Sequence, residues 1–302
     1  VLNTKYNNFE VILVDNASTD GSIEHVKKIF GHDHRLNIIQ NERNVGFAEG
    51  NNVGARAARG NYIVFVNPDT VVDPNWLNEF INVMEDDPAI GVCQSKLLSM
   101  ENPKIFDSAG DFIDYYGVMM RRGGDWMERD VGQYDGVDEI FSARGAAMMT
   151  RQRIINEVGL FDPSFFLTYE DIDFCWRVRL RGYKVYFVPR SVVYHVGEAF
   201  TSISFKVFFT TRNRIMALIK NYELRTLVKF LPQVIAVSMF ILAAELVIRN
   251  RPKLALNRLR GILWVLLNFK YVWKEHLRIQ HSIRKVPDSE VMQHMVKTNL
   301  AV

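Results

Sequence analysis

The first 70 residues of the chain alternate short apolar segments with polar loops. The apolar segments at residues 9–14, 36–40 and 62–66 have the composition of β-strands, and helical or loop-forming segments separate them. This alternation predicts an α/β domain with a largely parallel sheet. Because ligands of open α/β sheets bind beyond the carboxyl ends of the strands, the polar loops at 15–22 and 67–70 predict a functional site.

The chain has the composition of a globular protein. Its 302 residues are 48% hydrophobic and 24% charged, which excludes a disordered, collagenous or disulfide-scaffold protein. The two cysteines, Cys93 and Cys175, are far apart in hydrophobic surroundings. We expect both to be buried thiols in a reducing compartment, which favours the cytoplasm.

Charge is divided unevenly along the chain. Residues 1–202 contain 20 Lys and Arg against 29 Asp and Glu, whereas residues 203–302 contain 17 against 5. A basic region of this kind favours an anionic partner, either nucleic acid or a membrane surface. Long aliphatic and aromatic runs separate the basic residues, which favours the membrane and argues against nucleic acid. The sequence thus predicts two parts, residues 1–204 and a basic helical region at 205–302.

The basic region contains a mostly apolar segment at 230–248 and a shorter one at 262–273. A helix that spans a bilayer needs about 20 apolar residues, and Pro232, Gln233 and Glu245 interrupt the longer segment. Helices that lie on the membrane surface therefore fit this pattern best. A single membrane span and a soluble helical subdomain or dimer interface stay open as alternatives.

Several polar residues at loop positions are candidates for ligand contact, and each also has a purely structural explanation. Asp15 ends an apolar strand and needs a polar partner, which a ligand or the protein itself can supply. Asn44 and Gly46 precede a predicted helix, where they can meet a phosphate or a sugar. The glycine pattern is neither a Walker loop nor a dinucleotide-binding turn, so these nucleotide-binding classes lose support.

Carboxylates follow two other segments. Asp69 follows the third apolar segment, where it can cap a helix or bind Mg²⁺ or Mn²⁺ together with substrate phosphates. Glu170, Asp171 and Asp173 crowd the start of a predicted helix. The helix dipole explains some acid there, but such a cluster also raises the pKa of one member, which suits base catalysis. A lone His195 is most simply structural, whereas together with Asp69 it is a candidate second metal ligand.

Six motifs occur along the chain: VDNASTDGS at 14–22, NVGFAEGNNVG at 44–54, FVNPDT at 65–70, GAAMMTRQ at 145–152, the segment 159–189 and YHVGE at 194–198. As a set they resemble the family 2 inverting glycosyltransferases, in particular the rhamnosyltransferase-like branch that acts in cell-surface glycan assembly. The basic tail, which begins near the RNR sequence at 212–214, is similar to that branch as well.

The resemblance implies a GT-A fold, in which an α/β sandwich binds a nucleotide sugar and a divalent metal. The partners would be a dTDP-, UDP- or GDP-sugar donor, a glycan or lipid-linked acceptor, and the cytoplasmic face of the cell membrane. The metal would be Mg²⁺ or Mn²⁺ at Asp69 and His195, with Asn67 in place of the first acid of the family's D-x-D motif. Asp171 would be the general base and Glu170 a second catalytic carboxylate. The implied substrate contacts are Asp15, Asn16, Ser18, Asn44, Gly46, Asn67, Arg144, Gly145, Asp173, Trp176 and Arg177.

Enzymes of this family begin with an apolar strand and a helix, whereas Val1 corresponds to the end of that helix. The resemblance therefore predicts a GT-A sandwich that lacks its first strand and is followed by an α-helical region. Two other functions stay open. One is nucleotide-sugar processing or nucleotidyl transfer, which would use similar carboxylates; the other is a catalytically inactive, membrane-bound interaction module, which would bind no nucleoside diphosphate even with Mn²⁺.

Overall fold

A computed structural model describes residues 1–197 and 202–298. Glu198, which belongs to the motif at 194–198, lies outside the described residues. The strands are β1 (Val11–Asp15), β2 (Leu36–Gln40), β3 (Tyr62–Val66), β4 (Thr70–Val72), β5 (Ile90–Ser99), β6 (Phe106–Ser108), β7 (Asp111–Ile113), β8 (Met119–Arg121), β9 (Asp138–Glu139), β10 (Ala147–Arg151) and β11 (Lys184–His195). The α-helices are α1 (Ser22–Phe30), α2 (Gly46–Ala57), α3 (Trp76–Asp86), α4 (Gln152–Val158), α5 (Glu170–Leu180), α6 (Ile203–Asn221), α7 (Leu224–Val247), α8 (Pro252–Leu267), α9 (Phe269–Arg278) and α10 (Asp288–Val291). Short 3₁₀ turns occupy Pro163–Phe165 and Met292–His294, and a π-helical turn occupies Ile279–Ile283.

The main sheet is mixed. Five of its seven strands follow the order β3-β10-β5-β11-β4, with β6 paired to β5 and β9 paired to β11. Only β5 and β11 pair in parallel within this sheet; the other pairs are antiparallel. The prediction of a largely parallel sheet is therefore wrong here. Because β3, β5 and β11 still run in one direction, their carboxyl ends meet at the same edge of the sheet.

Strand β11 is longer than its apolar sequence predicts. The pattern at 184–188 indicates a short strand, but β11 continues to His195 through a register shift between Val188 and Val192. This extension pairs His195 with Ser99 of β5 on one side and with Thr70 of β4 on the other. A β-bulge of this kind re-aims a strand end, and here it carries His195 to the functional edge.

Strands β1 and β2 form a separate parallel pair, and among the described strands none joins β1 to β3. Helix α2 packs on β1 through its glycines. A Cβ added at Gly54 would lie 3.1 Å from Val14, and one at Gly50 would lie 3.0 Å from Asn16. These two glycines therefore allow α2 to pack closely on β1.

Two clusters of buried apolar side chains form the core. The larger one joins β5, α4, α5 and α6, and it extends to α8 and α9. The smaller one packs α3 against β5 and contains Cys93. Both Cys93 and Cys175 are buried free thiols, as predicted. All but one residue of α5 are buried, so this helix lies inside the protein rather than on its surface.

A buried ionic network joins α6 to α5. The Lys220 ammonium of α6 is fully buried and lies 2.6 Å from Asp162 and 3.0 Å from Asp173. Arg177 also donates to Asp173, over 2.9 Å. Burial by itself would raise the pKa of the Asp162 and Asp173 carboxyls, but the charge of Lys220 outweighs it and lowers both.

Helix α7 is long and mostly exposed. It is the one helix among the described residues that is long and apolar enough to cross a membrane by length and composition, and 22% of its apolar window is buried in the protein. Its buried stripe includes Leu227, Phe230 and Val234. Glu245, which interrupts the apolar sequence, is also buried and pairs with Arg258 of α8 at 2.8 Å.

Replacing Lys220 tests the buried network. Lys220→Met should lower the free energy of unfolding at neutral pH by about 3–5 kcal/mol, because it leaves the buried Asp162 carboxylate without a cation and Asp173 with Arg177 alone. In the wild type, the lowered pKa values of Asp162 and Asp173 stabilise the folded state above the unfolded pKa of about 4. In the variant, burial raises the pKa of Asp162, so the stability deficit should shrink as the pH falls toward 4.

Urea unfolding at several pH values measures this difference. Lys184→Met is the matched control, because Lys184 pairs with Asp87 at 3.0 Å on the surface and exposed pairs contribute about 1 kcal/mol or less. Equal losses in the two variants would contradict the role of the buried network.

Candidate active site

Polar residues gather where β3, β5 and β11 end. The loop at 67–69 follows β3, and His195 is the last residue of β11. Arg144 and Gly145 come just before β10, whose first residue pairs with the last residue of β3. The predicted loop after β3 therefore meets the end of β11 and the residues before β10 at one edge of the main sheet, as the direction of the strands requires.

His195 lies between polar side chains from two loops. Its Nε2 is 3.3 Å from Oδ1 of Asp69 and 3.3 Å from Nδ2 of Asn67. Its Nδ1 is 2.9 Å from Oδ2 of Asp107. A hydrogen bond from Nδ1 to the Asp107 carboxylate leaves the lone pair of Nε2 directed at Asp69 and Asn67.

Asp107 is the residue that orients His195, and the sequence did not indicate it. Burial by itself would raise the pKa of the Asp107 carboxyl. The hydrogen bond with His195 and the charges of Arg144 and Arg121 outweigh burial and lower this pKa. Asp107 therefore stays ionised as a hydrogen-bond acceptor for the imidazole.

The spacing of the Asp69 and His195 side chains fits that of two ligands of a small divalent cation. The lone pair of Nε2 and the Asp69 carboxylate are both acceptors, so a cation or a proton between them is needed to make the approach favourable. Adjacent ligands of an octahedral ion with bonds of about 2.1 Å lie about 3 Å apart, close to the observed 3.3 Å. Among the described residues, no group of three or more His, Cys, Asp and Glu side chains is placed to hold a metal. Substrate phosphates or water would have to complete the shell.

Asp171 is the half-buried carboxylate of this site. Its Oδ2 accepts a hydrogen bond from the Gly145 amide over 3.1 Å, and its Oδ1 accepts one from the Ile172 amide over 2.8 Å. Burial and the nearby negative charge of Asp111 raise the pKa of Asp171, against the charge of Arg144. A raised pKa makes this carboxylate a better proton acceptor.

Arg144 links the carboxylates of the site. It donates to Oδ2 of Asp111 from Nε over 3.2 Å and from Nη2 over 3.0 Å. The charges of Asp111, Asp107 and Asp171 raise the pKa of Arg144 despite its burial. A permanent positive charge therefore lies among three acids, which lets them occupy one site.

Glu170 is buried beside Asp171, and its Oε2 has no hydrogen-bond partner among the described residues. Burial, together with the charge of Asp171, raises the pKa of Glu170 well above its usual value. Glu170 therefore favours its neutral form and leaves Asp171 as the charged carboxylate of the pair.

A second cluster lies beyond β1, at the start of α2. Asp15 accepts from the Ser18 amide over 3.0 Å, which lowers its pKa. The Asn16 side chain donates to the Gly46 carbonyl over 3.0 Å, and Oδ1 of Asn44 accepts from the Gly46 amide over 2.9 Å. Five of the predicted substrate contacts, Asp15, Asn16, Ser18, Asn44 and Gly46, are therefore neighbours. The protein itself supplies hydrogen-bond partners for Asp15, as the structural explanation of this residue requires.

Gly46 joins this cluster at the start of α2 to the loop that precedes Asp171. Its φ is +87°, and a Cβ at this position would lie 2.5 Å from the Phe166 ring. The Phe166 carbonyl accepts from the amides of Phe47 and Ala48, at 2.7 and 3.3 Å. The start of α2 is thus held by the backbone of the loop that precedes Asp171.

Three predicted substrate contacts lie in the core instead of the site. Asp173, Trp176 and Arg177 are almost fully buried. Arg177 donates to Asp173 and to the carbonyls at 158–160. Trp176 packs edge-on against Tyr222 and Phe141. Their interpretation as substrate contacts is corrected accordingly: these side chains hold α5 in place.

The site also contains residues that the sequence did not indicate. Asp107, Asp111 and Gln94 surround Arg144; Gln94 accepts from the Arg144 amide over 2.8 Å. Both acids belong to strands of three residues, which are too short for a periodic pattern. The only sequence feature that could have indicated these two acids was the large number of Asp and Gly residues between 99 and 140.

Substitution of Gly46 tests its contact with the loop that precedes Asp171. Gly46→Ala should destabilise the protein by about 2 kcal/mol or more, because a positive φ is unfavourable for alanine and the new Cβ overlaps Phe166. Gly21→Ala is the control: its φ is +78°, and a Cβ there meets nothing within 4 Å. Thermal unfolding that gave equal losses would contradict tight packing at Gly46.

Sequence comparison relates the chain to sugar-transferring enzymes. Residues 1–149 match the family described as Glycosyl transferase family 2. Low-salt glycan biosynthesis hexosyltransferase Agl10 of Haloferax volcanii is 24% identical over 219 residues, which cover 69% of this chain and 66% of that protein. The chain spans between 22% and 66% of the lengths of four curated relatives that it matches.

Solved structures support the same fold. Mannosyltransferase PcManGT from Pyrobaculum calidifontis, solved with GDP-Man and Mn²⁺, aligns with a TM-score of 0.52 at 14% identity, over 92% of this chain and 79% of that one. TarS of S. aureus, solved with UDP, aligns with a TM-score of 0.51 at 16% identity, over 95% and 88%. The chain therefore has a GT-A-like α/β fold followed by a helical region, and its residues 1–149 are similar to Glycosyl transferase family 2.

Proposed function

We propose that the chain is an inverting glycosyltransferase of the rhamnosyltransferase-like branch. It would move a sugar from a dTDP-, UDP- or GDP-sugar to a hydroxyl of a glycan or lipid-linked acceptor in cell-surface glycan synthesis. The family 2 domain and the relatives that transfer hexoses support this proposal. The observation that carries it is a hydrogen-bonded path between the two predicted reactive centres.

This path runs through the backbone of two loops. Asp171 accepts from the Gly145 amide over 3.1 Å, and the neighbouring Ala146 carbonyl accepts from the Asn67 amide over 3.0 Å. The Asn67 side chain then approaches Nε2 of His195 at 3.3 Å. A proton acceptor and an anion-binding centre thus share one rigid edge, as displacement at an anomeric carbon requires.

Asp171 is proposed as the general base. Its carboxylate would take the proton of the acceptor hydroxyl while the hydroxyl oxygen bonds to the anomeric carbon and the bond from this carbon to the diphosphate breaks. Attack from the face opposite the leaving group inverts the configuration. The amides of Gly145 and Ile172 orient the carboxylate, and its raised pKa strengthens it as a base.

Asp69 and His195 would hold Mg²⁺ or Mn²⁺, with Asn67 and Asp107 keeping the imidazole in position. Such an ion supplies charge stabilisation to the departing diphosphate when it is bound. A nucleotidyl-transfer enzyme would also use these acids. The Gly145-bound Asp171 beside a buried Glu170 favours glycosyl transfer, because it provides a base for an acceptor hydroxyl.

Two substitutions separate the proposed roles. Asp171→Asn should reduce transfer at least about a hundredfold, since removing a general base costs roughly 10²–10⁴ in rate, but it should keep Mn²⁺-dependent nucleotide binding. Asp69→Ala should weaken that binding. Thermal shifts with UDP, dTDP and GDP, with and without Mn²⁺, measure binding, and acceptor-dependent release of the nucleoside diphosphate from the sugar donor measures transfer. Wild-type turnover in Asp171→Asn would refute the base, and no nucleotide binding by the wild type would favour the inactive interaction module.

The C-terminal helices are proposed to attach the protein to the cytoplasmic face of the membrane. The exposed side of α7 is apolar and includes Val228, Phe240 and Val247. Its one acid, Glu245, is buried in an ion pair, and exposed cations flank the helix at both ends. These are Arg225 and Lys229 at the start and Arg249, Arg251 and Lys253 after the end.

The buried stripe of α7 favours a helix that lies on the membrane surface over one that spans it. Phe230 packs against the rings of Tyr115, Tyr116 and Tyr222 at 5.5–6.0 Å. A helix held along one side by the protein presents only its other side to lipid, which is the geometry of an interfacial helix.

Vesicle binding tests this attachment. Phe240→Glu combined with Val247→Glu should reduce sedimentation with vesicles of phosphatidylglycerol and phosphatidylcholine at least about tenfold, because both buried apolar area and charge attraction decrease. Val131→Glu is the control, since Val131 is 80% exposed in the N-terminal part. Equal binding by the double variant and the wild type would contradict the proposed surface.

A further inference from the structure

The loop that leads to Asp171 has an unfavourable backbone. Residues 163–169, here called the base loop, connect the turn after α4 to the start of α5. Phe166, Thr168 and Tyr169 have φ values of 63°, 64° and 69°. Left-handed conformations are unfavourable for residues other than glycine and persist only where the surroundings enforce them.

Two neighbouring side chains of α6 hold this loop by its carbonyl groups. Asn213 is fully buried, and its Nδ2 lies 3.0, 2.8 and 2.7 Å from the carbonyl oxygens of Phe165, Leu167 and Thr168. Arg212 donates from Nη2 to the carbonyls of Ser164 and Phe165, over 2.6 and 2.7 Å. Both side chains reach the same loop because they leave α6 at adjacent positions.

Arg212 is an unusual residue to bury. It is 5% exposed, and among the described residues no carboxylate lies within ion-pairing distance of its guanidinium. Burial lowers its pKa to about 10. The rings of Phe209 and Trp264 lie 4.6 Å from the guanidinium carbon. Carbonyl dipoles and aromatic faces thus replace the missing anion.

A buried cation without an anion is a poor way to stabilise a fold, because an apolar side chain of similar volume avoids the desolvation penalty. The hydrogen bonds of Arg212 instead go to a strained segment whose position matters. Asn213 also donates a hydrogen bond to a carbonyl group of the same segment. Their shared target, rather than the packing of α6, explains why polar groups lie here.

The base loop touches both parts of the site. Its Phe166 carbonyl accepts from the amides of Phe47 and Ala48 at the start of α2. Its last residue, Tyr169, precedes Glu170 and Asp171, and the Tyr169 carbonyl accepts from the Asp173 amide over 2.9 Å. A shift of this loop would therefore displace the cluster at the start of α2 and Asp171 together.

We propose that Arg212 and Asn213 are positioning residues, which hold the base loop from α6 so that Asp171 and the start of α2 keep their relative positions. The inference rests on the proposed role of Asp171 as the base. It assigns to the helical region a part in the reaction that is separate from membrane attachment.

Hydrogen–deuterium exchange without substrate tests directly whether Arg212 and Asn213 hold the base loop. In Arg212→Met and Asn213→Ala, exchange should rise at least about tenfold in peptides that cover 163–171 and 46–50, because local opening becomes easier. Arg284→Met is the matched control: Arg284 also donates to main-chain carbonyls, but its partners lie between 221 and 288. Exchange in that variant should rise only around its own partners. Unchanged exchange at 163–171 in Arg212→Met and Asn213→Ala would overturn the proposal.

Kinetics test the consequence for transfer. We expect kcat to fall at least about tenfold in Arg212→Met and Asn213→Ala, since small displacements of a reacting group are costly, and to stay within about twofold in Arg284→Met. Arg212→Lys should recover part of kcat, because lysine can still donate to the loop carbonyls, and it serves if the methionine variant does not fold. An equal loss in Arg284→Met would overturn the positioning role. If the wild type transfers no sugar, the proposed function fails, and exchange alone decides whether these residues hold the loop.

Discussion

Buried cations that donate to main-chain carbonyls hold together the segment between α4 and α5. Arg177 binds the carbonyls at 158–160, and Arg212 binds those of the following turn. Lys220 pairs with Asp162 inside the same segment. A loop buried in this way must have its backbone polar groups satisfied, and here α5 and α6 supply the donors. The position of Asp171 depends on this arrangement, because the segment leads directly into it.

The second organising interaction comes from the irregular region at 99–140. Asp107 holds Nδ1 of His195, and Asp111 holds the guanidinium of Arg144. Each of these acids fixes one functional side chain that belongs to a different strand or loop. Burial and the charge of Asp111 raise the pKa of Asp171, and the positive charge of Arg144 limits this rise. An excursion over the sheet thereby becomes part of the site.

The predictions from sequence placed polar residues correctly at strand ends and helix starts, where a local rule applies. The loop with Asp69 and the start of α5 with Asp171 were identified because polar residues after apolar strands, and acids at a helix start, are visible in the order of residues. They failed along α5 itself. Asp173, Trp176 and Arg177 follow polar and aromatic patterns that suit a surface, yet this helix is buried on nearly all sides, so no helical face could be read from its periodicity.

The sequence by itself determined the α/β class, the strand-end loops, the paired glycines of α2 and the basic, apolar character of the C-terminal helices, because each depends on residues close together in the chain. Only the tertiary structure decided that the sheet is mixed, that a bulge carries β11 to His195, and that Asp107 meets it from 88 positions away. It also decided that α6 packs under the loop before Asp171. These outcomes depend on long-range pairing and on the burial of charged groups, and neither leaves a periodic trace in the order of residues.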